Sequence, residues 1–307
     1  MKMQIAHFGL MAVAGLILSA CSKPSTQTET GGAEKAVPSI KKFVVALKPD
    51  KDPEKMFEER GALAEYLKGK LGRDVEVVIP TSGAVILEGL GNGTIDLAYL
   101  SATDMVTSKN QDSGEILLAG EIEGKTTYES YWITLKGKPY KAIADIKGKP
   151  VAFSSKTSTS GGIVPIYDLI KQGLVPAGGK PEDFFGEGNV WYGSGYVSAA
   201  ERVLNGEAEA AAVSYYVLDL DKHLSAEQRG KLRKLQAQGP VPTHVLAVRS
   251  SLSPDDKTAL KSALLGMNDA DYEGLRDKVF TSKLVEVDER EHLEPIREAL
   301  SGTAHLR

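Results

Sequence analysis

The chain has 307 residues, of which 42% are hydrophobic and 25% are charged, and its formal net charge is −4. These values are ordinary for a globular protein with one large domain or two medium ones. The mixed charges form no basic stripe, so nucleic acid is excluded as an expected partner.

The first segment of the chain has the features of an export signal. Lys2 precedes a short apolar run at residues 10–18, and residues 18–21 read Leu-Ser-Ala-Cys. The apolar run is shorter than the ~20 residues that a membrane-spanning helix needs, and small residues precede a cleavage point. Leu-Ser-Ala-Cys resembles the bacterial lipobox, in which the cysteine becomes the lipidated first residue. We therefore predict a signal peptide over residues 1–20 and a lipid anchor on Cys21.

A tether is predicted after the cysteine. Residues 22–37 are rich in Ser, Thr, Gly, Glu and Lys and contain no aromatic residue. Because this composition cannot bury a core, we predict a flexible segment over residues 21–40. The body would then be held at the extracytoplasmic face of the cell envelope, which is the periplasm in a Gram-negative cell. Cys21 is the only cysteine, so the exported protein is expected to lack disulfides.

The body alternates strand-like and helix-like segments. Strands are predicted at residues 43–47, 75–79, 96–100, 116–119, 131–135, 151–153, 190–192, 210–213 and 245–248, and helices at residues 52–71, 83–90, 101–109, 163–170, 197–204, 254–265 and 288–300. Such alternation indicates an α/β fold with mostly parallel sheets flanked by helices. A break at residues 137–139 suggests two lobes, residues 41–135 plus 245–307 and residues 136–244. A ligand cleft is expected between them.

A cluster of hydroxyl residues is the most informative motif. Residues 154–162 read Ser-Ser-Lys-Thr-Ser-Thr-Ser-Gly-Gly and lie between a predicted strand and a predicted helix. The free N–H groups and the dipole at a helix start favour negative charge, so the cluster predicts an oxyanion site. The alternative is an N-cap in a surface loop, and the cluster alone leaves both interpretations open.

Other candidates for ligand binding lie at the edges of predicted elements. Ser82, Tyr99 and Ser101 follow or end strands, where α/β sheets usually bind ligands. Tyr196 opens a helix, and a protonated His244 would favour an anion. The five histidines show no spacing typical of metal ligands, so we expect neither a metal nor a cofactor.

Several stretches, taken together, resemble the PhnD-like family. They are Lys-Gly-Lys-Pro-Val-Ala-Phe at residues 147–153, Ser-Thr-Ser-Gly at 158–161, the segment 89–100, Tyr128 and Pro-Val-Pro at 240–242. This family comprises the phosphate-, phosphite- and phosphonate-binding proteins of ABC importers. The resemblance implies a two-lobed periplasmic-binding-protein fold of type II that clamps its ligand in the cleft between the lobes.

The resemblance also implies roles for single residues. Ser158, Thr159 and Ser160 match the family's ligands for phosphonate oxygens, and Tyr128 matches a cleft tyrosine that reaches the anion. Their hydroxyl groups and nearby N–H groups would donate to a tetrahedral anion at the helix start.

The remaining positions depart from the family pattern. This chain has Ser82 or Gly83 where members often carry an aromatic residue, and Tyr196 where they often carry a histidine. Tyr216 and His244 stand near the places of carboxylates that hold a ligand ammonium. Because a buried ammonium needs a charge partner, the departures favour a plain oxyanion such as phosphate or phosphite.

The sequence therefore predicts a monomeric substrate-binding lipoprotein that delivers a small oxyanion to ABC permease and ATPase subunits. One alternative is a sensor that signals to a membrane histidine kinase through the same cleft. Another is a hydrolase that uses Ser158 or Ser160. No Gly-x-Ser-x-Gly elbow surrounds either serine, so we expect no enzymatic activity.

Overall fold

The computed structural model describes residues 39–48, 53–110, 113–220, 223–280 and 282–306, with only the backbone described at 53–55 and 108–110. The predicted signal peptide, Cys21 and most of the predicted tether lie outside these residues.

Strands and helices alternate along the described chain. The strands are β1 (Lys42–Ala46), β2 (Asp74–Val78), β3 (Leu97–Leu100), β4 (Gly114–Glu121), β5 (Thr127–Leu135), β6 (Val151–Phe153), β7 (Val190–Tyr192), β8 (Ala210–Ser214), β9 (Leu232–Pro242), β10 (Val245–Arg249) and β11 (Lys283–Val285). The helices are α1 (Pro53–Leu71), α2 (Gly83–Asn92), α3 (Ala102–Asn110), α4 (Val164–Lys171), α5 (Glu182–Phe185), α6 (Tyr196–Leu204), α7 (Tyr216–Asp219), α8 (Ala226–Lys231), α9 (Pro254–Leu265), α10 (Glu273–Val279) and α11 (Glu289–Gly302). A π-helical turn, Thr159–Ile163, leads directly into α4.

The strands form two sheets in the described part of the chain. The first has the order β11-β4-β10-β3-β1-β2 and the second the order β7-β6-β8-β5-β9. β1 pairs in parallel with β2 and β3, and β6 with β7 and β8. The strands that follow a crossing between the sheets, β5 and β10, pair antiparallel with both neighbours. Both sheets are therefore mixed, whereas the alternation of elements predicted mostly parallel ones.

The first crossing comes earlier than the sequence predicted. β5 was assigned to the first lobe, but it pairs with β8 and β9 in the second sheet, so the chain changes sheet between β4 and β5. The break at residues 137–139 is a turn that follows β5 within the second lobe. β5 is apolar along most of its length, and such a strand can be buried in either sheet.

β9 is a long strand that the sequence prediction missed. It contains Pro240 and Pro242, and prolines are confined to edge strands because they donate no ladder hydrogen bond. β9 indeed lies at the edge of the second sheet, beside β5.

Each sheet is covered on both faces. In β1, Phe43 and Val45 pack into one apolar cluster, while Ala46 packs into another on the opposite face. In β6, Phe153 and Ala152 divide in the same way between two further clusters. This alternation is the side-chain period of a strand buried on both faces. α11 contacts α3 of the first lobe and α4 and β9 of the second, so it packs against both lobes.

The start of the described chain is fixed to the body by an ion pair. Asp256, whose side chain is fully buried, pairs with Arg73 and accepts a hydrogen bond from the Ile40 N–H at 3.2 Å. Arg73 Nη1 also donates to the Ile40 carbonyl at 3.1 Å. The tether predicted to run to residue 40 therefore ends before Ile40.

We predict that Asp256→Asn destabilises the protein by about 3–5 kcal/mol at neutral pH, because it leaves the Arg73 guanidinium without its buried partner. Burial acts to raise the pKa of Asp256, but hydrogen bonds led by that from Arg73 outweigh it and lower the pKa. The ionised Asp256 carboxylate therefore stabilises the folded protein fully at pH values above its unfolded-state pKa of about 3.9. This stabilisation is lost as the pH falls through the lower pKa that the group has in the folded state. Urea unfolding at several pH values measures the difference in the free energy of unfolding between Asp256→Asn and wild type, which should shrink below about pH 4.

The control is Asp255→Asn, at an exposed neighbouring residue. It should change stability by less than about 0.5 kcal/mol. An equal effect of the two substitutions would contradict the prediction.

Candidate functional site

A cavity of about 630 Å³ lies between the two sheets. Its walls include residues that follow the carboxyl ends of β1 and β3 in the first lobe and of β6 and β7 in the second, namely Lys48, Ser101, Ser154 and Ser194. This is the edge of an α/β sheet where ligands usually bind, and the volume lies within the usual range for small-molecule pockets.

The structure brings most of the predicted site residues to this cavity. Eight of the nine line it: Ser82, Tyr99, Ser101, Tyr128, Ser158, Thr159, Tyr196 and His244. Ser160 does not line it, because its side chain is fully buried behind the wall. Ser160 therefore supports the wall in this structure, although the sequence predicted it to be a ligand-contacting residue.

The hydroxyl cluster forms the loop and the π-helical turn that join β6 to α4. Ser158 Oγ accepts a hydrogen bond from the Gly161 N–H at 3.0 Å, and Ser155 Oγ accepts one from the Ser158 N–H at 3.0 Å. The capping interpretation is thus correct, but it does not exclude a binding role. A hydroxyl that accepts a hydrogen bond keeps its own O–H to donate, and Ser158 lines the cavity.

Two glycines allow this turn to be tight. A Cβ on Gly161 would lie 2.4 Å from Ser154 Cβ, and a Cβ on Gly162 would lie 2.2 Å from the Ser155 carbonyl oxygen. Because the obstacle at Gly162 is backbone, rotating a side chain could not relieve the clash. Thr159 continues the wall and shares a hydrogen bond of 2.8 Å with Thr103 Oγ1 of α3, which joins the two lobes beside the cavity.

Tyrosine hydroxyl groups surround the buried Ser160. Its Oγ lies 2.7 Å from the Tyr196 hydroxyl and accepts a hydrogen bond of 3.3 Å from the Tyr128 hydroxyl. Burial, with a smaller contribution from Tyr196, raises the pKa of Tyr128 and of Tyr216 well above the ordinary value. Both phenols are therefore neutral at physiological pH, so they add no negative charge to the cavity.

Aromatic rings line much of the rest of the cavity. Tyr216 lies edge-on to Tyr196, with ring centroids 5.4 Å apart, and its ring centroid is 5.0 Å from that of His223. His244 stacks on Tyr99 at 5.1 Å. The Tyr99 hydroxyl donates to the Phe280 carbonyl at 2.9 Å, so Tyr99 offers the cavity its ring rather than a hydrogen-bond donor.

The first lobe adds an ion pair that the sequence analysis missed. Lys48 Nζ and Asp104 Oδ2 lie 2.5 Å apart, and both residues line the cavity. Ser101 donates to Asp104 Oδ2 and accepts from the Asp104 N–H at 3.3 Å, so its hydroxyl is used within the first turn of α3. Two sequence signals could have found the pair. Ser101-x-x-Asp104 has the spacing of a capping box, and Lys48 stands just past a strand end.

Hydroxyl donors, neutral phenols and two lysines, Lys48 and Lys278, suit a small anion. The described residues contain no group of three or more His, Cys, Asp or Glu side chains that could hold a metal ion. Among the same residues, no helix has both the length and the apolar character needed to cross a membrane.

Residues 45–292 match the family described as the periplasmic substrate-binding protein of the phosphonate ABC transporter. The chain belongs to this family. The resemblance inferred from the sequence is thereby confirmed. Family members are transport proteins that bind a substrate, so the chain is an extracytoplasmic binding protein with a small ligand and with permease and ATPase partners.

Individual relatives agree with this assignment. The phosphate-import protein PhnD of Mycolicibacterium smegmatis is 26% identical over 274 residues, which cover 85% of this chain and 82% of the relative. PhnD1 from Prochlorococcus marinus, solved in complex with methylphosphonate, superposes with a TM-score of 0.74 at 15% identity and covers 86% of this chain and 99% of that chain. The binding component of an ABC phosphonate transporter from Pseudomonas aeruginosa has a TM-score of 0.71 at 19% identity, with 86% and 87% covered. The solved structures confirm the predicted two-lobed fold of type II.

We predict that Gly162→Ala destabilises the protein by about 1–3 kcal/mol, because its Cβ overlaps the Ser155 carbonyl oxygen. The matched control is Gly69→Ala within α1, where a Cβ meets nothing within 4 Å. There the substitution should leave stability unchanged or raise it by up to about 1 kcal/mol. Urea unfolding of the two variants measures the contrast. Equal stability of the two would mean that the turn is not as closely packed as described.

Proposed function

We propose that this protein captures a small tetrahedral oxyanion of the phosphate, phosphite or phosphonate class and delivers it to an ABC importer. The observation that carries the proposal is the pair of hydroxyl residues Ser158 and Thr159, which line a cavity between two lobes. Ser158 has an O–H left to donate, and the turn precedes a helix whose dipole favours negative charge. The relatives support the class of ligand, since one is named a phosphate-import protein and another was solved with methylphosphonate.

The second lobe argues against an aminoalkyl phosphonate. Tyr216, whose phenol is neutral, stands near the place that the sequence resemblance gives to a carboxylate for the ligand ammonium. Asp104 lines the opposite wall, but Lys48 already balances its charge. A buried ammonium without a charge partner would cost several kcal/mol, so a plain oxyanion is the better ligand.

The protein is further proposed to be a monomer held at the membrane by a lipid on Cys21. The support is the lipobox-like stretch at residues 18–21 and the short apolar run before it. Hydrogen bonds that form only when the lobes close around the ligand would supply the binding energy and drive closure. Charge-assisted hydrogen bonds contribute about 1.5–3 kcal/mol each, and four or five of them suffice for micromolar affinity of about 8 kcal/mol.

We expect Ser158→Ala to weaken oxyanion binding about ten- to a hundredfold, because it removes one hydrogen bond to a charged ligand. Isothermal titration of the purified full chain in mild detergent, with phosphate, phosphite, methylphosphonate and aminoethylphosphonate, measures the change. Ser225→Ala is the matched control, since Ser225 caps α8 outside the cavity in the way that Ser158 caps the turn.

Both serine variants should lose about 1 kcal/mol of stability through the lost cap, but only Ser158→Ala should lose affinity. If none of these ligands bound the wild-type protein, the proposed ligand class would be wrong. Preferred binding of aminoethylphosphonate would overturn the argument from Tyr216.

A further inference from the structure

The Lys48–Asp104 pair forms a charged patch on the first-lobe wall of the cavity. Lys48 follows β1 and Asp104 lies in the first turn of α3, so two separate elements bring them together. Their side chains are only 33% and 20% exposed, which makes the pair part of the cavity wall rather than a solvated surface contact. The sequence resemblance assigns neither residue a role.

The two oxygens of the Asp104 carboxylate have different surroundings. Oδ2 receives the hydrogen bonds from Lys48 and from the hydroxyl and the backbone N–H of Ser101. Oδ1 lies beside Gly83, where an added Cβ would be 2.8 Å away, and Gly83 itself lines the cavity. Capping of α3 and pairing with Lys48 therefore use one oxygen and leave the other beside Gly83. An added Cβ would meet this oxygen, so its position depends on the glycine at 83.

A carboxylate in an anion site has a defined chemical consequence. An ionised carboxylate only accepts hydrogen bonds and cannot donate one. Burial acts to raise the pKa of Asp104, but Lys48 and Ser101 outweigh it and the pKa is lowered, so the group is ionised at neutral pH. Lys48 balances the charge, which prevents the wall from repelling an anion as a whole. The Asp104 oxygen can still make a favourable contact only with a ligand atom that carries a proton.

We propose that Asp104 is a specificity-determining residue whose Oδ1 accepts a hydrogen bond from the ligand's own acidic O–H. This inference rests on the proposed function. The second-lobe wall, with Ser158, donates to the unprotonated oxygens of the ligand, and the first-lobe wall accepts from its protonated oxygen. The site thus selects hydrogen phosphate and singly ionised phosphonates, which keep a proton. It rejects sulfate, which is fully ionised at neutral pH and would face the carboxylate with an unprotonated oxygen. Sites built around a ligand hydrogen bond reject analogues that lack the proton by several orders of magnitude.

Other titratable groups face the same cavity and enter the design of the test. They come from α1, α10, the crossing after β9 and the second lobe: Glu59, Lys278, His244, His223, Tyr99, Tyr128, Tyr196 and Tyr216. Their effect should act on every oxyanion, whereas the effect of Asp104 depends on whether the ligand carries a proton.

The test is isothermal titration of the full chain in mild detergent with phosphate, sulfate and methylphosphonate, at about pH 6 and about pH 9. Methylphosphonate loses its last acidic proton across this range, as phosphoryl groups with a second pKa near 6 do, while phosphate keeps one. Wild type should bind phosphate at least about a hundredfold more tightly than sulfate at both pH values. Raising the pH from about 6 to about 9 should weaken the binding of methylphosphonate to the wild type. The factor by which it weakens should be at least about ten times larger than the corresponding factor for phosphate.

In Asp104→Asn the amide can donate to an unprotonated oxygen. The preference for phosphate over sulfate should then shrink at least about tenfold, and the extra pH dependence of methylphosphonate should disappear. Asp145→Asn is the matched control, because Asp145 also caps a helical turn through backbone N–H groups but lies outside the cavity. It should leave the selectivity unchanged.

A second variant covers the case in which Asp104→Asn does not fold. Gly83→Ala keeps the carboxylate and its cap, but its Cβ would push Oδ1 away from the wall, and the same loss of selectivity is expected. If wild type binds phosphate and sulfate equally, or if both variants keep the wild-type selectivity, Asp104 is only a capping residue and the inference is wrong while the proposed function stands. If wild type binds no oxyanion, both fail.

Discussion

Thr243 connects the two chain crossings between the sheets, and the position of the cavity depends on this connection. Its N–H donates to the Thr126 carbonyl at 3.0 Å, and its hydroxyl lies 2.6 Å from the Gly120 carbonyl oxygen and 3.0 Å from that of Thr126. Residues 120 and 126 flank the first crossing, while Thr243 is in the second. Because the two crossings are held side by side, the two lobes face each other in one fixed arrangement. A site that takes residues from both lobes needs this arrangement.

His292 of α11 extends the connection made by Thr243. Its Nε2 lies 3.1 Å from the Thr243 carbonyl oxygen, so this nitrogen must carry the proton. Burial lowers the pKa of His292, so the ring is neutral at physiological pH.

The two walls of the cavity have complementary chemistry. The second lobe offers hydroxyl groups that are positioned by backbone contacts, and glycine at positions 161 and 162 allows the π-helical turn to pack closely against Ser154 and Ser155. The first lobe offers an ion pair that neither attracts nor repels an anion strongly as a whole. A ligand held only by the second lobe would miss the contacts of the first, so the free energy of binding favours the closed arrangement of the lobes. Selectivity and closure then depend on the same contacts.

The sequence predicted the order of elements and most of the cavity lining, and the failures have physical causes. Ser158 and Thr159 could be placed at the cavity because they lie between a strand and a helix, at the edge of the sheet where α/β proteins usually bind ligands. Ser160 is buried behind the wall, and the direction of a side chain in a π-helical turn cannot be inferred from spacing alone. β5 was assigned to the wrong lobe because an apolar strand can be buried in either sheet, and its partners are distant in sequence. Lys48 and Asp104 were missed because each has an ordinary local explanation, a strand end and a helix cap, and only the fold brings them together.

Three residues of the first-lobe wall depend on one another. An aromatic residue at position 83 would occupy the space beside Asp104, since even a Cβ there comes within 2.8 Å of the carboxylate. Glycine at 83, aspartate at 104 and lysine at 48 therefore form one coupled set, because the carboxylate needs the glycine for space and the lysine for charge balance. Neighbours in such a set have non-additive effects on stability and binding. A substitution at any one of the three positions therefore changes the surroundings of the other two.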